Sequence, residues 1–167
     1  MTDLLPKLVT EAQRVEEDAE HSAKGHYNAA ARWARYHLWL GLPSAVIAAL
    51  GGAAALNSLS EVAVGLALLS SALTTVLTFL KPSERSEMHK TAAGQYHTLR
   101  NRVRLFREIE LADGIEPSTA KERLLVLATE RDELNQSSPM PARCDYELAK
   151  QDIDSGRAGY RVDEVKP

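Results

Sequence analysis

Residues 38 to 80 read LWLGLPSAVIAALGGAAALNSLSEVAVGLALLSSALTTVLTFL, two apolar runs of 19 residues either side of a five-residue connector, with Glu61 the only charge. At 1.5 Å per residue each run makes a helix about 28 Å long, close to the roughly 30 Å hydrocarbon core of a bilayer. The alternative is a core hairpin of a soluble bundle. A helix buried on one side shows a polar face every 3.6 residues, and neither run carries an Asp, Glu, Lys or Arg to mark one. The pattern predicts an all-α chain with a two-span transmembrane hairpin, 38–56 and 62–80. A signal peptide does not fit, because the first run starts deep in the chain, lacks a short basic region before it and is followed by a second run.

Averages hide this feature: the mean hydropathy is −0.27 and the net charge −3. With two spans and about 124 strongly polar residues outside them, the chain is expected to hold one compact unit rather than two independent domains. Cys144 is the single cysteine, so no intrachain disulfide and no cysteine metal cluster is expected. Arg32, Arg35 and His37 precede the first run and Lys81, Arg85 and Lys90 follow the second. The connector Asn57-Ser58-Leu59-Ser60-Glu61 has no Lys or Arg. That asymmetry predicts a multi-pass protein of the inner (plasma) membrane with both termini cytoplasmic. Trp33, Tyr36 and Trp39 at the start of the first run and Phe79 at the end of the second agree, since amphipathic rings prefer the headgroup level.

Each run has a distinctive surface. In the first, Gly41, Ser44, Ala45, Ala48, Ala49, Gly51, Gly52 and Ala55 give small-xxx-small spacings such as Ser44, Ala48, Gly52 and Gly41, Ala45, Ala49. Such spacings let backbones approach where lipid supplies no hydrophobic drive. Pro43 removes a backbone donor one turn inside the run, so either a kink or the start of the straight helix is expected there. In the second run Ser70, Ser71, Thr74, Thr75 and Thr78 fall within an arc of about 140° at 100° per residue. A stripe of uncharged hydroxyls can line a water-filled path if several copies turn it inward. It can equally be packing, with hydroxyls bonded to carbonyls four residues back. Two helices per chain cannot surround a channel, so any pore requires a homo-oligomer.

The flanking segments read as amphipathic helices. Leu5, Leu8, Ala12, Val15, Ala19, Ser22, His26 and Ala29 follow a three-four spacing within residues 1–37, with a possible interruption at Gly25. The region 81–155 restarts a helix after Lys81-Pro82, with Ser83 as the expected N-cap. Its apolar face is Ala92, Tyr96, Leu99, Val103, Phe106 and Ile109, ending at Asp113-Gly114. A second helix opens at Glu116-Pro117-Ser118 and carries Ala120, Leu124, Leu127, Arg131 and Leu134. The Pro139-Met140-Pro141 segment must be extended. A short helix from about Asp145 to Ser155 is closed by Gly156. Residues 156–167 show no apolar period and are expected to be a mobile tail.

No catalytic chemistry is expected. His21, His26, His37, His89 and His97 form no H-E-x-x-H or Glu-x-x-His pattern, and no Walker, Rossmann or nucleophile-elbow motif occurs. No cofactor and no metal are predicted, and a net acidic chain is not expected to bind nucleic acid. Arg100, Arg102, Arg104 and Arg107 in RNRVRLFRE form a basic cluster that is either a solvated helix face or a contact for phosphate and anionic headgroups.

The short hairpin, the Trp-bearing approach from Ala30 to Trp39, the following helix with His89, Tyr96 and Leu99, and Pro139-x-Pro141 followed by Tyr146 and Ala149 together resemble the SLATT domain family, over roughly residues 25 to 155. The resemblance implies a two-transmembrane effector that works beside bacterial nucleotide-signalling conflict systems, where a partner makes or senses a nucleotide messenger. It also implies a homo-oligomeric, pore-forming, antiviral role, with the hairpin as pore former and the cytoplasmic helices as oligomerisation and trigger element. It carries over no ligand residue, and this chain has no fused sensor domain. The competing expectation is a non-conducting membrane anchor or scaffold that presents a helical adaptor.

Overall fold

A computed structural model describes residues 4–157, and among these the secondary structure is helical throughout. The elements are α1 (Leu4–Leu56), α2 (Ser60–Leu80), α3 (Pro82–Leu105), a π turn (Phe106–Glu110), α4 (Pro117–Ser137) and α5 (Arg143–Asp154). Contacts group the chain into two compact units, Ala30–Glu87 and the combination of Met1–Ala29 with Met88–Pro167. The first unit therefore starts and stops a few residues outside the 38–80 segment. Of the tail at 156–167, residues 158–167 lie outside the described residues.

Three expectations at helix boundaries are corrected. Neither Gly25 nor Pro43 interrupts α1, which runs unbroken for 53 residues. A helical glycine costs about 1 kcal/mol relative to alanine, yet Gly25 is buried where a Cβ would stand 4.0 Å from Pro141 Cγ and from Tyr146 Cα. At that distance a methyl group would make ordinary contact, so burial against Pro141 and Tyr146, not a need for glycine, marks the site. Pro43 removes one donor, and the turn that follows it is tied to α2 through Ser44 (below). The third correction is Ser83, which is not the N-cap, because α3 already begins at Pro82. Proline disfavours the right-handed helical region for the residue before it. Lys81 accordingly adopts φ 45°, ψ 52° and closes α2 with its N–H on Leu77 O at 2.9 Å. Pro82, whose missing donor is harmless at a first helical position, then starts α3.

In the larger unit α1, α3 and α4 pack about one core. Leu8, Ala12, Val15, Ala19 and Ala23 of α1 meet Tyr96, Leu99, Val103 and Phe106 from α3 and the π turn, and Ala120, Leu124, Leu127 and Leu134 of α4. The three-four spacing of each stripe places it on one helix face. Two expected members fail: Leu5 is 43% exposed and Ile109 is 59% exposed. For Ile109 the cause is local. The π turn bonds Leu111 N–H to Phe106 O at 3.0 Å, five residues back. One residue is thereby inserted into the helical phase, Ile109 rotates out, and Leu111 enters the core in its place.

The helix ends are ordinary. The Glu116 carboxylate accepts from Ser118 N–H at 2.8 Å and Thr119 N–H at 3.3 Å. The hydrogen bond from the Ser118 side chain, followed by that from the Thr119 backbone, holds its pKa below the usual carboxylate value. Asp145 at the start of α5 accepts from Ala142 N–H at 3.2 Å.

Candidate functional site

The smaller unit is built from the apolar half of α1, α2 and the first turn of α3. A tight connector at Asn57–Leu59 reverses the chain, with Ser58 at φ 61° and Asn57 Nδ2 donating to Ala53 O at 2.8 Å. Along the helix pair the small residues of α1 meet α2 at Gly41, Ser44 and Gly51. A Cβ on Gly51 would stand 3.3 Å from Leu66 Cβ, and one on Gly41 would stand 3.8 Å from Leu77 Cδ1. The spacing 41, 44, 48, 51 alternates three and four residues, the seam of a left-handed helix pair. Gly52 meets nothing within 4 Å, and Ala45 is exposed. Ala48, with Gly51, Gly52, Ala63 and Ala67, lines a shallow cleft of about 520 Å³ between the two helices.

The hydroxyl stripe of α2 is divided by this pairing. Ser44 and Ser70 are both buried, and Ser70 Oγ donates to Ser44 O at 3.0 Å. Ser44 Oγ lies 2.9 Å from Thr74 Oγ1 and 3.3 Å from Ser70 Oγ. These three side chains form a polar knot, with Ser44 and Ser70 enclosed between the helices and the exposed Thr74 bonded to them from the rim. Ser71, Thr74, Thr75 and Thr78 are all exposed, and of these Thr74 alone bonds to α1. Thr75 donates to Ser71 O at 2.8 Å and Thr78 to Thr74 O at 2.9 Å, so these hydroxyls keep acceptor capacity but use their protons locally.

Two helices, within Leu4–Leu56 and Ser60–Glu110, are long and apolar enough to cross a membrane. Only 17% and 6% of their most apolar windows are buried, whereas the core helix of a soluble protein is mostly buried. Leu38, Trp39, Leu42, Val64, Leu68 and Phe79 are each more than half exposed.

The basic cluster lies in the other unit and is engaged with carboxylates. Arg100 pairs with Glu20 at 3.1 Å and Arg107 with Glu16 at 3.0 Å. Arg102 pairs with Glu130. Burial opposes the charge of Arg107, but the hydrogen bond and charge of Glu16, helped by Glu108, outweigh it and raise the guanidinium pKa further. Arg104 is half-buried on the same helix. The cluster therefore serves in part to bind α3 to α1.

Two arrangements had no motif in the sequence. One is a buried histidine pair, His26 Nδ1 and His89 Nδ1 at 2.9 Å. The His26 ring also stacks on Tyr96 with centroids 5.5 Å apart, and Tyr96 donates to Asn135 Oδ1 at 2.7 Å. Burial first, and the neighbouring His89 second, push His26 down to about 4. A signal for this pair did exist, since His26 continues the buried stripe of α1 and His89 stands seven residues before Tyr96 on α3. Among the described residues no three His, Cys, Asp or Glu side chains gather as a metal site would. The second arrangement joins Arg32, Trp33, Tyr36 and Arg85, with Trp33 and Tyr36 edge to face at 5.5 Å. No protein-family model, no curated protein and no solved structure matches this chain.

Proposed function

We propose that this chain is a homo-oligomeric membrane effector. Its apolar helix pair spans the bilayer twice, and several copies together permeabilise the membrane when triggered, in the manner that the resemblance to the SLATT family implies. One observation carries the reading: Ser71, Thr75 and Thr78 stay exposed on an otherwise apolar helix without a bond to α1, whereas Ser70 and Thr74 bond to Ser44. In lipid an outward hydroxyl row has no use, whereas between subunits or beside a water path it has. The basic residues Arg32, Arg35, Lys81 and Arg85 flank the pair and the connector has none, so both termini belong on the cytoplasmic side. A trigger acts by favouring one packing of the cytoplasmic helices over another, and shifts the equilibrium only by its difference in affinity for the two. A nucleotide-signalling enzyme or sensor is the partner class the resemblance suggests.

The test is membrane potential in bacteria after induced expression, read with a voltage-sensitive dye. Depolarisation that a Thr75→Leu, Thr78→Leu double variant loses, while Leu68→Ile on the apolar side keeps it, supports the pore. Depolarisation unchanged in the double variant removes these residues from the conduction path. A non-conducting anchor is the second reading, favoured by the self-satisfied Ser44–Ser70–Thr74 knot, which is what a static hairpin needs. An anchor keeps its function when residues 38–80 are exchanged for an unrelated two-span hairpin; a pore former does not.

A further inference from the structure

Helix α4 carries an unbroken apolar run, Leu124 to Ala128, more than one helix face can use. Leu124 and Leu127 are buried in the core, which leaves Val126 outside at 59% exposure. Val126 and Leu127 line a hollow of about 230 Å³ together with Leu105 and Phe106, from the end of α3 and the start of the π turn. Leu105 is 49% exposed, and so is more than half of Ile109, one turn further on. An apolar strip left open and rimmed by charge marks an interaction surface.

The rim carries four charges in alternation. At one end Arg102 bonds Glu130, and at the other Arg123 bonds Glu110 at 2.7 Å. These pairings make α4 antiparallel to α3. Arg102 and Glu110 are eight residues apart in the chain and Arg123 and Glu130 seven, so the two ion pairs lie roughly 11 Å from each other. The arginines therefore occupy one diagonal of a rectangle and the carboxylates the other. Arg102, Glu110 and Arg123 line the hollow, and among the described residues no other charged side chain does. Each ion is satisfied within the chain yet reaches solvent. A guanidinium with five N–H groups, or a carboxylate with two oxygens, can serve a second partner as well.

This pattern selects the partner. A molecule that presents a single sign of charge is repelled along one diagonal. A second copy of the same face is not. Turned over by a two-fold axis lying along or across the helices, it sets a carboxylate over each arginine and an arginine over each carboxylate, at all four corners, while the apolar strips close on each other. Exposed ion pairs add little affinity, so the strip supplies the binding and the charges decide what is accepted. We propose that the α3–α4 face bounded by Arg102, Glu110, Arg123 and Glu130 is a self-association surface, and that its partner is the same face of a second copy of this chain. The inference rests on the homo-oligomer reading above and adds to it a contact outside the apolar hairpin.

The experiment couples full-length chains in non-ionic detergent with a short bismaleimide through Val126→Cys, in a Cys144→Ser background that removes the native thiol. A charge-inverted chain also carries Arg102→Glu, Glu110→Arg, Arg123→Glu and Glu130→Arg. It keeps both internal pairs with their signs exchanged, and it matches itself as the original does. The two chains are co-expressed, one enlarged by a tag, beside a control of two original chains. Each chain couples with its own kind. Mixed dimers, which set like charge over like at four corners, fall about tenfold or more below the control share at low salt. Mixed dimers at the control share overturn the proposal, because apolar adhesion does not choose. So does an inverted chain that keeps the near-ultraviolet circular dichroism of the original yet does not couple with itself. Glu110→Lys alone sets a lysine over an arginine twice per dimer and lowers self-coupling several-fold; unchanged self-coupling overturns the surface without recourse to the fourfold variant. Light scattering separates the two readings: an oligomer that does not couple at Val126→Cys refutes this face alone, and a monomer refutes the homo-oligomer reading with it.

Discussion

Acidification should weaken the larger unit through His26. The Nδ1···Nδ1 contact of 2.9 Å requires one imidazole to donate and the other to accept. One further proton leaves the hydrogen bond intact, and a second forces two N–H groups to face each other in a buried site. Burial and the charge of His89 hold His26 at about 4 when folded, against 6.5 for an ordinary histidine. The folded pKa is depressed, so between about 6.5 and 4 the unfolded chain binds more protons than the folded one, and stability falls as pH falls through that window. The contribution is complete above about 6.5, and its loss by pH 4 reaches at most about 3 kcal/mol. For a chain of this length that corresponds to a fall in Tm on the order of 10 °C. The assay is thermal unfolding of the full chain in non-ionic detergent, followed by near-ultraviolet circular dichroism from neutral pH down to about 4, beside His26→Gln. The glutamine amide can still meet His89 but does not titrate. Carboxylates protonate in both proteins, so the difference between the two curves isolates position 26. Parallel curves across the window refute the reasoning.

Three further outcomes test the packing. Gly51→Leu, whose Cβ meets Leu66 Cβ at 3.3 Å, should destabilise the helix pair by about 1–3 kcal/mol, while Gly52→Leu, with nothing within 4 Å, should be near neutral in the same detergent unfolding titration. Ser44→Ala removes the centre of the hydroxyl knot and should cost about 1 kcal/mol, since hydroxyl contacts between membrane helices are worth little more; a loss several times larger would mark the knot as a structural keystone. Deleting Ile109 restores an ordinary four-residue step from Phe106 to the following leucine, so Tm should change by no more than about 4 °C, whereas deleting the buried Val103 should unfold the unit.

The helices themselves were largely legible, because period and punctuation are local properties. The α1 stripe from Leu8 to Ala29, the α3 stripe from Ala92 to Phe106 and the α4 stripe from Ala120 to Leu134 are buried as the three-four spacing requires. Glu116-Pro117-Ser118 marks the start of α4 to within a residue. The errors fall where a distant neighbour overrides a local preference. Gly25 reads as a breaker, yet it lies on the buried face of α1 in contact range of Pro141 and Tyr146. Ile109 occupies a correct α-helical phase, and the π turn that displaces it has no sequence signature that periodicity can detect.

The candidate site shows the same division more sharply. Helical geometry places Ser70, Ser71, Thr74, Thr75 and Thr78 in one arc, but an arc does not say how much of itself the partner helix consumes. That depends on Ser44, a small residue read only as room for close approach, whose hydroxyl in fact claims Ser70 and Thr74. What the pairing leaves is a narrower row, Ser71, Thr75 and Thr78, spaced four and three residues apart along one edge of α2. A row with that spacing matches the seam of a second left-handed helix contact, as the first pairing did along Gly41, Ser44 and Gly51. If copies of the chain assemble through it, each α2 is bonded on one edge within its own hairpin and on the other to a neighbour, so the hydroxyls that line any central path are those that the neighbour does not cover. Substitutions at Thr75 and Thr78 then change assembly and conduction together, whereas a change at Ser70 alters only the fold of the single chain.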